Sequence, residues 1–597
     1  MFNTAEARLL PFSFWMIPYD ANFEPELRCI IQGRFRHYMS RWNFAPIFVG
    51  ALFLTMACFT GPAATYYVGS IASLTSRIGS ALPGDELVVS NGVYVTSASI
   101  GISRAGTAAS RILIRAETVG AVEITGTHGF SFNSGAAYVT IQGFKFTHAA
   151  AISMSSSANH CRLTRNIIEL TIPSGSDVSY VNISGDDMEI DRNELRNKST
   201  LGEMLDVAGS GSQVARRLWV HHNYFHDFVS PGGNGAETIR LGLSGLSLST
   251  GNAVVEYNLF IRCNGENEMI SNKSSGNTYR YNTVLDCPGG EISQRHGNDC
   301  LYYGNYMRNT AGMRVYGDRH KIFSNYLESN SIGVNMGNGD GDVYRGDPLT
   351  SHDRPDDNIV VFNTFINNST HYQMGGRTGG LGSSNTVVAN NIFQGGGNMA
   401  SISSSAPYTG AWSNNIRWQT SSAGNMPASG YMTINPLLAQ DANGIYHLQS
   451  GSPAINAGVG SQDYYGTYSS YAYVGPDMDG QPRDANKDIG ADEFSSAPIL
   501  ARILTTNDVG PNSFEGTFPK PQPRIVSCTP SGPGLLISGT NGVPGWKYFL
   551  LAQTNLTTLL SDWTRIATNR FDSSGNFSFT NSIDPELPAR FYLLQLQ

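Results

Sequence analysis

Short apolar and aromatic segments, each carrying an asparagine, recur along most of the chain and are separated by polar turns. The intervals between successive asparagines are roughly 20 to 38 residues and carry no helical periodicity. Short β-rich segments at such a period predict a solenoid of strands, namely an all-β, right-handed parallel β-helix. The repeated asparagines are Asn166, Asn193, Asn223, Asn258, Asn282, Asn305, Asn325, Asn363 and Asn391. A stacked amide can donate and accept hydrogen bonds at once, so we expect these residues to be structural.

Both ends of the predicted solenoid carry patterns that would close it. Apolar residues from Ile71 to Leu82 follow helical spacing and end at Pro83-Gly84, which predicts an N-terminal cap helix. The segments 452–458 and 488–494 are typical of a closing coil. The acidic stretch between them, Asp477 to Asp488, lacks the spacing of an EF-hand and is interpreted as a solvated turn.

Four regions follow from these patterns and from local composition. Residues 1–64 are an upstream extension and signal peptide, and residues 65–496 form the β-helix domain. Residues 497–520 are rich in Pro, Gly, Thr and Asn and are predicted to be a linker. Residues 521–597 alternate like strands and are predicted to be a small C-terminal module resembling a β-sandwich.

The single long apolar run, Phe44 to Phe59, is too short for a stable membrane span and fits a signal-peptide core. Met39 lies directly before it and is the candidate true start, with cleavage predicted near Thr65. A lipid anchor at Cys58 is disfavoured because Thr55-Met56-Ala57 is a poor lipobox. We therefore expect a secreted or periplasmic bacterial protein.

The net charge of the chain bears on its binding partners. The formal net charge of −8 disfavours a nucleic-acid partner. An acidic protein that binds a polyanion would need a local basic groove or a bridging cation.

Five cysteines fall in the predicted mature chain, an odd number that implies no complete disulfide framework. Cys263, Cys287 and Cys300 are interpreted as small buried residues, with a disulfide between two of them as the alternative.

Four polar phrases between Asn234 and Arg314 depart from the scaffold pattern. They are Asn234-Gly-Ala-Glu237-Thr-Ile-Arg240, Glu266-Asn-Glu268-Met-Ile-Ser-Asn-Lys273, Gln294-Arg295-His296-Gly297 and Gly312-Met-Arg314. Residues one coil apart stack on the same face of a β-helix, so these phrases are predicted to converge. Glu266 and Glu268 would project from one strand face, where two carboxylates favour a hard cation, and Asn234 can add a neutral oxygen.

These phrases resemble the chondroitinase B and alginate lyase family, the sixth polysaccharide lyase family, over about residues 65–420. The resemblance implies a calcium ion held by Asn234, Glu266 and Glu268, with Glu237 as a further ligand. It also implies that Lys273 is the catalytic base, that Arg295 is the second catalytic residue, and that Arg240, His296 and Arg314 contact substrate. Glu237 matches the members that cleave alginate.

The chemistry that the resemblance implies suits these residue types. Removing the C5 proton of a uronate requires an uncharged Lys273 and a cation that neutralises the C6 carboxylate. The predicted function is therefore calcium-assisted β-elimination of an anionic polysaccharide, alginate, leaving 4,5-unsaturated ends. Dermatan sulfate or chondroitin is the alternative substrate.

Two alternatives belong to other functional classes. A β-helix glycosidase would need an aspartate-rich constellation, which the four phrases do not contain. A non-catalytic carbohydrate-binding β-helix would not need Lys273 and Arg295 beside a cation site.

Overall fold

The computed structural model describes residues 63–462, 468–469, 471–513, 523–531, 534–540, 547–555, 563–572, 576–582 and 590–596, with residues 542 and 558. Within residues 63–433 the chain winds into coils, and most coils contribute one short strand to each of three parallel sheets, of which the second and third are joined through shared strands into one 25-stranded sheet. Strands at equivalent positions of successive coils pair in register. The predicted parallel β-helix is therefore present.

The first sheet has fourteen strands. They are Thr65–Val68, Glu86–Val89, Ile112–Ala116, Val139–Gln142, Arg162–Thr164, Glu189–Asp191, Trp219–His221, Val254–Glu256, Thr278–Arg280, Leu301–Tyr303, Lys321–Phe323, Ile359–Val361, Ser383–Ala389 and Tyr408–Ser413.

The second sheet follows the first around each coil. Its strands are Gly92–Thr96, Val122–Gly126, Lys145–Phe146, Ile167–Ile168, Glu194–Lys198, Tyr224–Val229, Leu259–Asn264, Thr283–His296, Tyr306–Val315, Tyr326–Glu328, Thr364–Ile366, Ile392–Gln394, Asn415–Trp418 and Tyr431–Thr433.

The third sheet completes each coil, and the two long strands of the second sheet run on into it. Its other strands are Ile100–Ile102, Phe130–Phe132, Ile152–Met154, Val181–Ile183, Leu205–Val207, Ile239–Leu241, Ile270–Lys273, Ile332–Met336, Thr370–Met374, Asn398–Ile402 and Ser422–Gly424.

The asparagine ladder lies at the corner between the first and second sheets. The Asn305 side chain donates to Tyr279 O at 2.9 Å and accepts from the Asn282 backbone amide at 3.1 Å. The residue before most ladder asparagines is left-handed, as in Arg165, with φ of 56°. That conformation turns the chain sharply, and the amide ladder supplies the hydrogen bonds that hold it. The predicted structural role of the asparagines is confirmed.

The interior of the coils is a continuous apolar core of Val, Ile, Leu, Phe and Met side chains. Cys161, Cys263, Cys287 and Cys300 are buried free thiols, as the interpretation of small buried residues requires. Outward-facing positions of the same strands are left for polar residues, since side chains alternate across a strand.

The N-terminal end is covered by the helix Ile71–Ser80, with Leu74 and Ile78 buried against the first coils. Ser70 caps this helix through its side chain. The predicted cap helix is thus confirmed.

At the far end the two predicted closing segments pair: Ile489 N donates to Ala454 O at 2.9 Å. The prediction of a solvated turn between them is wrong, because Asp477 is 0% exposed and Asp488 is 2% exposed. Their carboxylates accept backbone amides, including Gln481 N to Asp477 at 2.7 Å and Phe494 N to Asp488 at 2.6 Å. The acidic residues therefore organise the closing segment by replacing missing backbone partners.

Smaller elements lie on the loops and at the closing end. They are the 3₁₀ helices Ser244–Leu246, Val343–Arg345 and Ala428–Gly430 and the hairpins Gly209–Ser210 with Gln213–Val214, Leu438–Gln440 with Tyr446–Leu448, and Ser461–Gln462 with Tyr468–Ser469.

The first part of the predicted linker lies against the solenoid. Leu504 and Val509 are buried beside Leu259, and Leu504 N donates to Thr283 Oγ1 at 3.0 Å. Gly510 N donates to His222 O at 2.9 Å. Residues up to 513 therefore contribute to the packed surface of the β-helix.

The C-terminal module has two antiparallel sheets of three strands each. The strand order in one sheet is Arg524–Ser531, Gly534–Thr540 and Phe577–Ser582. The strand order in the other is Thr564–Arg570, Lys547–Gln553 and Phe591–Leu596. Ile537, Tyr548, Leu550, Phe571 and Phe577 form its core. The all-β module predicted for this region is present.

Among the described residues, no helix has the length and apolarity needed to cross a membrane. The predicted signal peptide, the Met39 start and Cys58 lie outside the described residues.

Candidate active site

One outward-facing row of side chains runs along the third sheet. Register pairing places its members on successive strands, about 4.8 Å apart. The row, called here the outward row, is Gly101, Ser131, Ser153, Asn182, Asp206, Arg240, Ser271, Ser293, Arg314, Asn335, Gln373 and Ser401. The predicted convergence of the four polar phrases is therefore observed around Ser271 and Ser293.

Three carboxylates meet beside this row. Glu237, Glu266 and Glu268 each place an oxygen within 4.8 Å of the others. The backbone amide of Gly235 donates to Glu266 at 2.7 Å, and the Ser271 hydroxyl donates to Glu268 at 2.6 Å. These bonds fix two of the carboxylates in a site that is mostly closed to water.

The carboxylate group also offers oxygen ligands for a cation. Burial and the neighbouring Glu237 raise the pKa of Glu266 above its usual range. Oε2 of Glu237 is buried and has no hydrogen-bond partner in the described residues. Asn234 is exposed and directly precedes Gly235, whose amide contacts Glu266. A donor set of carboxylate oxygens with one unsatisfied buried oxygen fits a calcium ion.

Three basic side chains line the carboxylate group. Lys273 Nζ lies 3.1 Å from Glu237 Oε1, and Arg295 Nε lies 2.9 Å from Glu268 Oε1. Arg314 makes a close ion pair with the same Glu268 oxygen. Burial opposes ionisation of Glu268, but Arg314, Ser271 and Arg295 hold its pKa below the usual range. The site therefore combines acidic and basic groups within direct contact.

Lys273 and Arg295 owe their proximity to an irregular register. The strand Ile270–Lys273 pairs with Thr283–His296, and the register shifts between Asn272 and Lys273. The shift pairs Lys273 with His296 and leaves Arg295 as the extra residue at the edge of the site.

His296 lies beside the site but is buried, with 1% of its surface exposed. Both ring nitrogens lack hydrogen-bond partners among the described residues. Burial and the positive charge of Arg295 lower its pKa to about 3, so the ring is neutral at ordinary pH. The His352 ring lies 6.3 Å from it and comes from the loop after Ile332–Met336. His296, like Glu237, is thus almost inaccessible to a polymer in this conformation.

Arg240 is held by two carboxylates that the sequence phrases do not contain. It contacts Asp206 at 2.9 Å and makes a close ion pair with Glu203. Glu203 is 3% exposed, and burial together with Asp206 raises its pKa to about 7. Arg240 lies one strand from Ser271, as predicted, but its charge is already matched locally.

Glu291 is a further acidic neighbour that the sequence did not indicate. It lies 3.0 Å from Arg314 Nε, and burial raises its pKa to about 7. Asp206 could have been found by counting one coil back from Arg240. Glu203, Glu291 and His352 carry no local signal, because their place in the site depends on loop paths and turn lengths.

Solved structures with the same fold include several polysaccharide lyases. The PL6 family alginate lyase AlyGC matches with a TM-score of 0.57 and 22% identity, covering 65% of this chain. This chain spans 55% of AlyGC. A mannuronic acid specific polysaccharide family 6 lyase from human gut microbiota matches with a TM-score of 0.55 and 25% identity, covering 62% of this chain and 91% of that one.

A PL6 alginate lyase in complex with a trisaccharide matches with a TM-score of 0.53 and 19% identity, covering 65% of this chain and 91% of that one. These likenesses confirm the right-handed parallel β-helix. A search of curated proteins finds no significant match.

The family model described as Chondroitinase B matches residues 68–379, just over half of the 597 residues. The matched range contains the three carboxylates, Lys273, Arg295 and the whole outward row up to Gln373. The resemblance noted in the sequence is confirmed, and the chain belongs to the chondroitinase B family.

Proposed function

We propose that the protein is a polysaccharide lyase that cleaves a polyuronate, alginate, by calcium-assisted β-elimination. The observation that carries the proposal is the meeting of Glu237, Glu266 and Glu268 with Lys273 and Arg295 in direct contact. A purely binding surface would not need a lysine and an arginine buried against a cation site.

In the proposed reaction Lys273 has first given up the proton that pairs it with Glu237. The C5–H bond of a uronate then breaks and its proton passes to the uncharged Lys273 Nζ. The electron pair forms the C4–C5 double bond as the bond from C4 to the glycosidic oxygen breaks. The leaving oxygen then takes a proton, and Arg295 stabilises the charge on it while that proton arrives. The residues that would hold calcium are Asn234, Glu237, Glu266 and Glu268, and the ion would neutralise the uronate carboxylate.

The basic side chains have separate roles in this scheme. Arg314 is on the outward row and in this scheme would pair with a substrate carboxylate. Its guanidinium also contacts Glu268 and Glu291, which fixes its position. Lys273 has 13% of its side chain exposed, so a bound sugar would shield it from water.

We choose alginate over dermatan sulfate because Glu237 matches the members of the family that cleave alginate. The solved structures with this fold that carry substrate names are described as alginate lyases or as mannuronic acid specific. These names support the choice of substrate, and dermatan sulfate is its alternative.

The substrate proposal is tested by incubating purified protein with polymannuronate, polyguluronate, mixed alginate and dermatan sulfate. Formation of 4,5-unsaturated ends, followed by near-ultraviolet absorbance, is expected on at least one alginate. Cleavage of dermatan sulfate alone would overturn the choice of alginate.

Calcium dependence is tested on the same assay. Chelator is expected to abolish turnover, and added calcium to restore it, because the ion would neutralise the uronate carboxylate beside Glu237, Glu266 and Glu268. Glu266→Gln should raise the calcium concentration needed for half activity by tenfold or more. Full turnover in excess chelator by metal-free protein would contradict the proposal.

We further propose that the mature protein is exported and begins near Thr65, after removal of a signal peptide. Mass spectrometry of the exported protein would give its N-terminus directly. A mature chain that keeps residues 1–38 would contradict this proposal.

A further inference from the structure

Two serines occupy the middle of the outward row, between Arg240 and Arg314. Ser271 and Ser293 lie on neighbouring strands, and both are 0% exposed. A buried hydroxyl has no bulk water to bond with, so its partner within the protein decides what the side chain contributes. For both serines that partner is a charged group of the candidate site.

Ser271 contacts one of the three carboxylates. Its hydroxyl donates to Glu268 Oε2 at 2.6 Å, while the closest contacts of Arg295 and Arg314 are with the other oxygen, Oε1. Each oxygen of Glu268 thus has its own partners, and rotation of the carboxylate would break contacts at both. A hydrogen bond that fixes the orientation of a ligating carboxylate preserves metal affinity.

Ser293 contacts the basic part of the site. Its hydroxyl accepts hydrogen bonds from Arg314 Nη2 at 3.0 Å and from Nε at 3.3 Å. Arg314 Nε also lies 3.0 Å from Glu291, and Nη2 makes a close ion pair with Glu268. These contacts use the edge of the guanidinium group that carries Nε and Nη2, and together they fix its plane.

Serines on the earlier strands of the row have a different kind of partner. The hydroxyls of Ser131 and Ser153 lie 2.8 Å apart on neighbouring strands and bond to each other. That hydrogen bond joins two neutral groups, whereas hydrogen bonds to charged groups are stronger. The charge of their partners therefore distinguishes Ser271 and Ser293 from serines that only complete the scaffold.

Resting on the proposed function, we propose that Ser271 and Ser293 are positioning residues with separate targets. Ser271 holds Glu268 in the orientation that binds calcium. Ser293 holds Arg314 by one edge, so that Nη1 is left to meet the carboxylate of the substrate. Neither serine takes part in bond cleavage, and each acts through the side chain that it orients.

The first test measures calcium affinity by titration calorimetry on the whole protein without substrate. Ser271→Ala should raise the calcium Kd by about 10–100-fold, the usual effect of removing a group that orients a metal ligand. Ser293→Ala should leave the calcium Kd nearly unchanged. Ser271→Thr keeps the hydroxyl on a residue that strands accommodate well, and it should restore the affinity.

The second test measures the affinity for an alginate tetrasaccharide at saturating calcium, in a Lys273→Ala background that slows turnover. Ser293→Ala should raise the tetrasaccharide Kd by about tenfold, the factor expected for one hydrogen bond to a charged group. Ser271→Ala should leave this Kd nearly unchanged once calcium is saturating. Ser293→Thr should bind as the background protein does.

Ser153→Ala is the matched control, because it removes a hydroxyl of the same row whose partner is uncharged. It should alter neither affinity, and melting temperatures show that each variant folds. Alanine variants that melt lower but match Ser153→Ala in both affinities would overturn the proposal, since the serines would then be scaffold alone. Equal effects of Ser271→Ala and Ser293→Ala on both affinities would overturn the separate targets.

Failure of the proposed function is recognised separately. In that case the unaltered protein would form no unsaturated ends on any polyuronate, whatever the calcium titration shows. A protein that cleaves polyuronate, yet whose serine variants match Ser153→Ala, would keep the proposed function and lose this inference.

Discussion

At the scale of single residues, the candidate site works through opposed charges held in contact. Glu237 and Glu268 are buried and each is paired with a basic side chain, while Glu266 is tied to backbone amides. Removing one member leaves its partner buried without compensation, which costs far more than losing a surface pair. Substitutions here should therefore be judged on both folding and turnover.

Lys273 is the residue whose role is most specific. Lys273→Arg keeps the positive charge but stays protonated, so it cannot accept the C5 proton. We expect both Lys273→Arg and Lys273→Ala to lower kcat by about 10²–10⁴.

Lys145→Arg is the matched control for this substitution. Lys145 also pairs with a glutamate, at 3.0 Å, but lies on an early coil away from the site. It should retain activity, and Lys145→Arg and Lys273→Arg should melt near the unaltered protein. Lys273→Ala should melt lower, because it leaves Glu237 buried without its basic partner. Near-normal turnover by Lys273→Arg would show that position 273 supplies charge alone.

At the scale of elements, the solenoid depends on polar ladders as much as on its apolar core. The ladder asparagines and the turn pattern could be predicted, because the asparagines recur along the sequence at intervals close to one coil. The left-handed backbone of the residues before them, such as Arg165 and His222, could not be predicted, because these residue types do not by themselves indicate a positive φ. Burial of the acidic closing segment was also missed, because partners such as Asn456 N come from a distant part of the chain.

Asn305→Ala tests the ladder. It would leave the Asn282 amide and the Tyr279 carbonyl without their buried partner. We expect a loss of roughly 2–6 kcal/mol in the free energy of unfolding, at 1–3 kcal/mol for each of the two unsatisfied groups. Asn398→Ala, at an exposed position, should cost less than about 1 kcal/mol. Similar thermal melting of the two variants would contradict the structural role.

The closing segment should respond to pH through His447. Burial alone would lower its pKa, but the hydrogen bond and charge of Asp479 at 2.9 Å raise it to about 9. The folded pKa lies above the unfolded value of 6.5, so the stabilisation is full below pH 6.5 and disappears as pH rises through 9.

Melting temperature should accordingly fall between pH 6.5 and 9, by the equivalent of about 2 kcal/mol. His447→Gln should be less stable at pH 6 and show a flatter profile over that range. An identical profile in the variant would show that other groups control this pH response.

At the scale of the whole molecule, the sequence predicted the fold class and most of the candidate site. The phrases around Lys273 and Arg295 were visible because each is compact along the chain. The places of Glu203, Glu291 and His352 depend on coil lengths that vary between repeats. The extent of the β-helix domain was hidden for a similar reason, because residues up to 513 pack against strands far back in the chain.

Two truncated chains test where the β-helix domain ends, at residue 496 or at residue 513. A chain ending at residue 513 keeps Leu504 and Val509 packed beside Leu259 and should retain full turnover on soluble oligosaccharides. A chain ending at residue 496 exposes that apolar contact and should melt at a lower temperature, because burying one leucine contributes about 2 kcal/mol. Equal melting temperatures for the two chains would show that residues 497–513 contribute no stability.

The central claim is that this chain breaks a polyuronate by elimination, with Lys273 as the base. Mass spectrometry of alginate products, with absorbance recorded on the same sample, tests it most directly. We predict products one water lighter than hydrolytic fragments, with a near-ultraviolet chromophore, and their formation slowed by about 10²–10⁴ in Lys273→Ala. Fragments of hydrolytic mass without the chromophore, or unsaturated products at normal rate from Lys273→Ala, would contradict the account.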